Sequence, residues 1–286
     1  MTRLKQEDIT GIAHSLDQYD EELIAKTGQN LLGIARHVAR LEQDGLPESL
    51  CSTTIGVVPV SCGEGIINGF ADAVLAIINH IGFRGFLTRH PDISGFAEAV
   101  EREADIVMMA DDTRFIALNM NMKRIIDNAH ATGLAYAHGL SLMAGSLEKK
   151  KVLLIGCGFV GHAAARALIG LGSTVMLYDI VADRSNQLSH ELSQTRKGSV
   201  EIAETLSDGL LDSTLIFDAA GVNQRIDAKT LHAEAYVAAP GLPFGLSREA
   251  REKVGSRLLH DPLQMGVAAM AVLALDDVCG SKPPID

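Results

Sequence analysis

Apolar positions along this chain follow two rhythms. From residue 6 to 43 they recur at helical spacing. One piece covers 6–18, with Ile9, Ile12, Ala13 and Leu16 on its apolar face. A second covers 19–41, with Leu23, Leu31, Ile34, Ala35 and Val38, and with Gly28 and Gly33 as candidate kinks. After the loop marked by Pro47, short β-branched runs alternate with helical ones: strand 53–60, helix 66–81, strand 83–88, helix 96–104, strand 105–110. That alternation predicts a parallel sheet. Phe115 to Met122 is apolar with interleaved amides, and a helix rich in Ala, Leu and Gly follows from Ala129 to about Ala144. Beyond the polar boundary at Gly145-Ser146 and Glu148 to Lys151, the strand–helix rhythm resumes. It gives strands at 152–155, 173–178, 200–203, 213–218, 235–239 and 258–262, and helices after Gly158, over 182–195 and over 267–278. The pattern therefore predicts an α/β protein of two domains. Residues 1–148 form an N-terminal helical plus α/β substrate domain, 149–262 a Rossmann-type parallel sheet, and 263–286 a helix folding back onto the first domain.

The most informative stretch is Val152-Leu153-Leu154-Ile155-Gly156-Cys157-Gly158-Phe159-Val160-Gly161, followed by an alanine-rich run. Here an apolar strand breaks into Gly-x-Gly-x-x-Gly and a helix starts at once. Gly156 allows the tight turn, Gly158 lets the backbone approach a pyrophosphate, and Gly161 lets helix and strand pack closely. The helix N-terminus, at Phe159 and Val160, offers free N–H groups to phosphate oxygens. Asp179 ends the next strand about 20 residues on, where a carboxylate binds the ribose 2′-hydroxyl of NAD and repels a 2′-phosphate. The loops Ala219-Ala220-Gly221 and Pro240-Gly241-Leu242-Pro243 end later strands of the same sheet and so border the nicotinamide side.

Two further openings lie at strand ends of the first domain. Ser61-Cys62-Gly63-Glu64-Gly65 offers hydroxyl and backbone donors, or is a turn leading into a helix. Asp111-Asp112 has the chemistry to orient a cationic amine, bind a metal, or cap the next segment. Composition narrows the field. A formal net charge of −11, 4% aromatic residues and no tryptophan argue against a nucleic-acid partner. The four cysteines have no zinc-like spacing and read as reduced thiols, and the ten histidines show no metal-ligand pairing. No run of about 18 apolar residues is present and the N-terminus is polar, so the expectation is a cytoplasmic protein without a membrane partner.

Val57 to Ile67, Met109 to Ala117, Pro240-Gly241-Leu242-Pro243 and Asp261-Pro262-Leu263 together resemble the pyrrolysine synthase family, over about residues 4–275. The organisation is more distantly similar to shikimate and methylenetetrahydrofolate dehydrogenases. The resemblance implies NAD-dependent oxidation of the terminal amine carbon of 3-methyl-D-ornithyl-Nε-L-lysine, then ring closure to pyrrolysine with loss of ammonia. It implies Asp111 as the acid that holds the amine and relays its proton, and Asn128 as a neutral hydrogen-bonding partner. Leu4 then belongs to an N-terminal helix that closes over substrate, and Ser61 contacts substrate. Cys62 and Glu64 depart from the small hydroxyl and amide residues expected there, which bears on the fine shape of the pocket. A homodimer is expected, with helices 66–81 and 267–278 as candidate interfaces or core. Two alternatives remain: another two-domain dehydrogenase, or a module that senses NAD(H) without moving hydride.

Overall fold

The computed structural model describes residues 4–41, 47–194, 199–223 and 225–275, with the side chains of 47–49 excepted. The first layer is helical: α1 (Gln6–Ile9), a 3₁₀ turn at Ile12–His14, α2 (Leu16–Thr27), α3 (Leu31–Ala39) and α4 (Pro47–Ser52). Glycine breaks this layer more often than periodicity predicts. Gly11 (φ +90°) ends the first piece early, and Gly28 (φ +74°) is the left-handed C-cap of α2. The Asn30 side chain then accepts from Gly33 N at 2.8 Å and starts α3, so Gly33 lies inside a helix and kinks nothing.

The first sheet contains β1 (Thr54–Val58), β2 (Arg84–Leu87), β3 (Ile106–Ala110), β4 (Phe115–Asn119) and β5 (Arg124–Asp127) in the order β2-β1-β3-β4-β5. Two helices cross between its early strands, α5 (Phe70–His80) and α6 (Asp92–Glu101). The β1–β2 and β1–β3 pairings are parallel as predicted, but β4 and β5 return antiparallel, so the sheet is mixed. The Phe115–Met122 stretch thus contains a strand, whose Phe115, Ala117 and Asn119 are buried in alternation. Helix α5 begins at Phe70 rather than residue 66, because Gly63, Gly65 and Gly69 all take positive φ and keep the preceding segment a loop.

Helix α7 (Asn128–Met143) leads to the second sheet. Its elements are β6 (Lys151–Ile155), α8 (Phe159–Gly170), β7 (Thr174–Tyr178), α9 (Ala182–Ser193), β8 (Val200–Ile202), α10 (Leu206–Leu211), β9 (Leu215–Asp218), β10 (Tyr236–Ala238), α11 (Arg248–Val254) and β11 (Leu258–Leu259). The six strands run parallel in the order β11-β10-β9-β6-β7-β8, the doubly wound arrangement that switches direction between β6 and β9. Helices α10 and α11 add to the predicted elements; Thr205 and Ser247 cap them through their hydroxyls.

The two sheets are held together by small residues. An ideal Cβ on Gly133 of α7 would sit 2.6 Å from the Val160 carbonyl and 2.7 Å from Ala163 Cβ of α8. The chain ends its described part with α12 (Gln264–Leu273), in which Gln264 to Val272 are all buried. It packs on α3, α5 and α7 of the same chain, so this candidate interface is core.

Overpacking at such a contact costs about 1–3 kcal/mol. We expect Gly133→Ala to lose roughly that much in urea unfolding. Gly170→Ala, an exposed position with nothing within 4 Å of its Cβ, should gain roughly 0.4–1 kcal/mol.

Candidate active site

A cleft of about 1320 Å³ lies where the carboxyl ends of the two sheets face each other. One wall is the glycine loop. Gly156 has φ +92°, and a Cβ there would press on Ala220 Cα at 2.7 Å, so only glycine lets the β6 and β9 loops meet. Gly161 packs its bare Cα against the Gly156 carbonyl. Gly158 is the N-cap of α8 with no side-chain cap, and no atom lies within 4 Å of where its Cβ would be. The first amides of α8 therefore face open space, the cradle a pyrophosphate requires. Gly158, Phe159 and Val160 line the cleft; Gly156, Gly161 and Asp179 stand behind it. Asp179 holds the loop from below, Oδ2 accepting from Cys157 N at 2.8 Å and Oδ1 from Val181 N at 2.9 Å. Phe159 and Ile180 are 85% and 87% exposed, leaving two apolar side chains bare beside the fingerprint. These features fit a dinucleotide.

The loops bordering the far end are clamped. Ala220 and Pro240 both line the cleft. Beneath Ala220, the buried Asp218 carboxylate pairs with Arg225 Nη2 at 2.7 Å and accepts from Ala220 N at 3.3 Å. Burial raises the Asp218 pKa, against the pull of Arg225. Beside Pro240, His260 Nδ1 sits 2.6 Å from the Ala239 carbonyl and its ring lies 4.2 Å from that of Phe244.

The opposite wall carries the acidic turn. Asp111 Oδ1 accepts from Thr113 Oγ1 (2.6 Å), Thr113 N (2.7 Å) and Arg114 N (2.7 Å). Oδ2 has no partner among the described residues. These bonds, the Thr113 hydroxyl first, hold the Asp111 carboxyl below its ordinary pKa. Asp112 turns the other way and accepts from Glu64 N at 2.7 Å, pinning the 61–65 turn. Asn128 opens α7 and lines the cleft; its Oδ1 receives Thr132 Oγ1 at 3.3 Å, while its Nδ2 is buried with no partner. Leu4 is half-buried in the lining. Ser61 does not line the cleft: its hydroxyl and amide are both bound by Asp92, and its neighbour Cys62 faces the space instead.

Spacing alone did not reveal several residues here. Asp127 caps α7 through Ala129 N at 2.9 Å, a signal readable in hindsight from Asp-Asn before an alanine-rich helix. Arg114, His130 and Arg166 also line the cleft. Behind it, the buried Asp261 accepts from Tyr19 Oη at 2.6 Å and Tyr136 Oη at 2.8 Å, tying α2 and α7 to the lining residues Pro262 and Leu263. Burial and the Asp261 charge push both phenols well above their ordinary pKa. Among the described residues no group of three or more His, Cys, Asp or Glu is placed to hold a metal ion. Burial, then Asp179, pushes the Cys157 thiol up to about 12, so it stays protonated near neutral pH. Cys279 lies outside the described residues.

Two family models match successive parts of the chain. Residues 8–126 match the model "Pyrrolysine biosynthesis protein PylD, N-terminal domain", and 126–236 match "Alanine dehydrogenase/PNT, C-terminal domain". Pyrrolysine synthase of Methanosarcina acetivorans is 32% identical over 94% of this chain and 98% of its own length. The chain belongs to the pyrrolysine synthase family. The family member from Methanosarcina barkeri is 31% identical over 94% of this chain and 97% of that one. Among solved structures, quinate dehydrogenase from Corynebacterium glutamicum in complex with NAD aligns with a TM-score of 0.53 at 14% identity, over 79% of this chain and 96% of that one. Shikimate 5-dehydrogenase from Thermus thermophilus gives 0.52 at 18% identity, over 81% and 95%. At these identities the likeness shows the shared two-layered dehydrogenase fold.

A depressed carboxyl pKa stabilises the fold above the unfolded value, and that stabilisation is lost as pH falls through the folded value. In this pyrrolysine synthase homologue, removing the Thr113 hydroxyl removes the largest cause of the depression. Carbon-detected NMR titration should find Asp111 protonating at higher pH in Thr113→Ala than in the wild type.

Proposed function

We propose that this protein oxidises the terminal amine carbon of 3-methyl-D-ornithyl-Nε-L-lysine and allows the product to close to pyrrolysine. The observation that carries the reading is the open Oδ2 of Asp111 on the wall opposite Gly158–Val160, in a chain of the pyrrolysine synthase family. A nicotinamide cofactor seated on the glycine loop supplies the two-electron acceptor for hydride.

The protein's own residues handle charge and position. An ammonium group carries no lone pair, so its carbon cannot release hydride until a proton leaves. Asp111, ionised because its other oxygen already takes three hydrogen bonds, receives the ammonium in a charge-assisted bond. The proton leaves the amine by way of the open Oδ2 and passes to solvent at the cleft mouth. The resulting imine carbon is then open to attack by the ornithine α-amine in the same molecule, and ammonia leaves as the ring forms. Asn128, lining the cleft at the start of α7, offers substrate a neutral amide side chain. Leu4 contributes apolar cover that keeps water from the reacting carbon.

Asp179 supports NAD over NADP, because its carboxylate, fixed at the end of β7 by Cys157 N and Val181 N, places a negative charge whose field opposes a 2′-phosphate.

The decisive assay supplies the dipeptide and NAD⁺, follows NADH by absorbance, and identifies product by mass. NADH formation with a product lighter by ammonia and two hydrogens is expected. Binding of NADH without turnover of the dipeptide would overturn the reading in favour of a nucleotide-sensing module. Asp111→Asn should lower kcat by about 10² to 10⁴ while leaving NADH affinity intact. NAD⁺ should exceed NADP⁺ in kcat/KM by roughly 100-fold, and Asp179→Ser should shrink that ratio.

A further inference from the structure

A carboxylate oxygen and an amine account for only one end of the cleft. Arg114, three residues past Asp111, lines the same wall and is fixed at two points. Its backbone N–H donates to Asp111 Oδ1 at 2.7 Å, and its Nε donates to Asp127 Oδ2 at 3.1 Å. Asp127 is itself immobile, because its Oδ1 caps α7 through Ala129 N. The guanidinium is thus held by its Nε edge, while Nη1 and Nη2 have no partner among the described residues. The Nη1/Nη2 edge is one of those a carboxylate can engage with two parallel hydrogen bonds. Further along the rim stand His130 and Arg166. Arg166 is paired only loosely, 3.9 Å from Glu191.

Arg114 and Arg166 form the cationic rim of a lining that also carries Asp111, Asp112 and Asp127, so they are where an anionic group of a ligand would settle. The pyrophosphate has its own cradle at the N-terminus of α8, on the other wall. We infer that Arg114 anchors the α-carboxylate of the amino-acid end of the substrate, with Arg166 extending the cationic rim outward. The inference rests on the proposed function, whose dipeptide carries a single free carboxylate at the end away from the reacting amine. Its lysine stem is flexible, so the carboxylate is free to settle on a cation of the wall that holds the amine. Asp111 and Arg114 would then hold an ammonium group at one end of the ligand and a carboxylate at the other.

The test compares two substrates: the dipeptide, and the same amide made with pentane-1,5-diamine in place of lysine, which lacks only the carboxylate. Losing a hydrogen bond to a charged group predicts that Arg114→Gln raises KM for the dipeptide about 10- to 100-fold, with kcat within about twofold. Wild type and variant should have similar, weak KM values for the diamine amide. Arg114→Lys should recover part of the loss, since it keeps charge without the two-pronged edge. An equal loss with both substrates, or a fall in kcat alone, would mean that Arg114 merely braces the acidic turn, and would overturn the inference. So would weaker NADH binding in Arg114→Gln, which would make it a cofactor contact, or a loss confined to Arg166→Gln. If the wild type binds NADH but leaves the dipeptide untouched, the proposed function fails first, and that result is distinct from all of these.

Discussion

Everything in the cleft depends on how closely α7 can approach α8. Gly133 brings the helix backbone against the Val160 carbonyl, so the helix that starts at Asn128 is registered directly on the helix that starts at Phe159. Asp127 and Asn128 open one, and Gly158 opens the other. Two helix N-termini from different sheets thereby face one space. A van der Waals contact sets the distance between the acidic-turn wall and the glycine-loop wall. Interiors packed this tightly transmit strain and tolerate little added volume.

Electrostatics then divides the cleft. Asp111 and Arg114 come from a single turn, and each is oriented by hydrogen bonds made elsewhere in that turn or in the cap of α7. Both groups are exposed, and each keeps part of its polar edge open: Oδ2 of Asp111, and Nη1 and Nη2 of Arg114. A wall with separated, preoriented charges of opposite sign suits a zwitterionic ligand better than a uniformly charged one. The cofactor side, by contrast, uses backbone amides and apolar surface, with Asp179 spent on holding the loop.

Much of this was legible in the chain. The fingerprint at Gly156–Gly161, its acid at Asp179 and the parallel order of the second sheet follow from short-range rules linking glycine, strand and helix. The acidic turn at Asp111 was legible as a motif, and its place opposite the glycine loop emerged with the fold. What stayed hidden depends on contacts distant in sequence. Ser61 has a hydroxyl well suited to a ligand, but Asp92, 31 residues on, takes it. The antiparallel return of β4 hid within Phe115–Met122, where amides replace the usual β-branched alternation. The first helical layer was read as too continuous, because Gly11 and Gly28 can continue or end a helix and only packing decides.

The Asp261 knot has a consequence for how this molecule comes to exist. Tyr19 and Asp261 are 242 residues apart, and the wholly buried α12 lies against α3 from the opposite end of the chain. α5 and α7 cover part of the apolar faces of the N-terminal helices, and α3 is sealed only when α12 has been made. Such high contact order slows folding and leaves sticky surface bare during synthesis. During synthesis α3 therefore waits, partly bare, while both sheets are made, and only α12 closes over it.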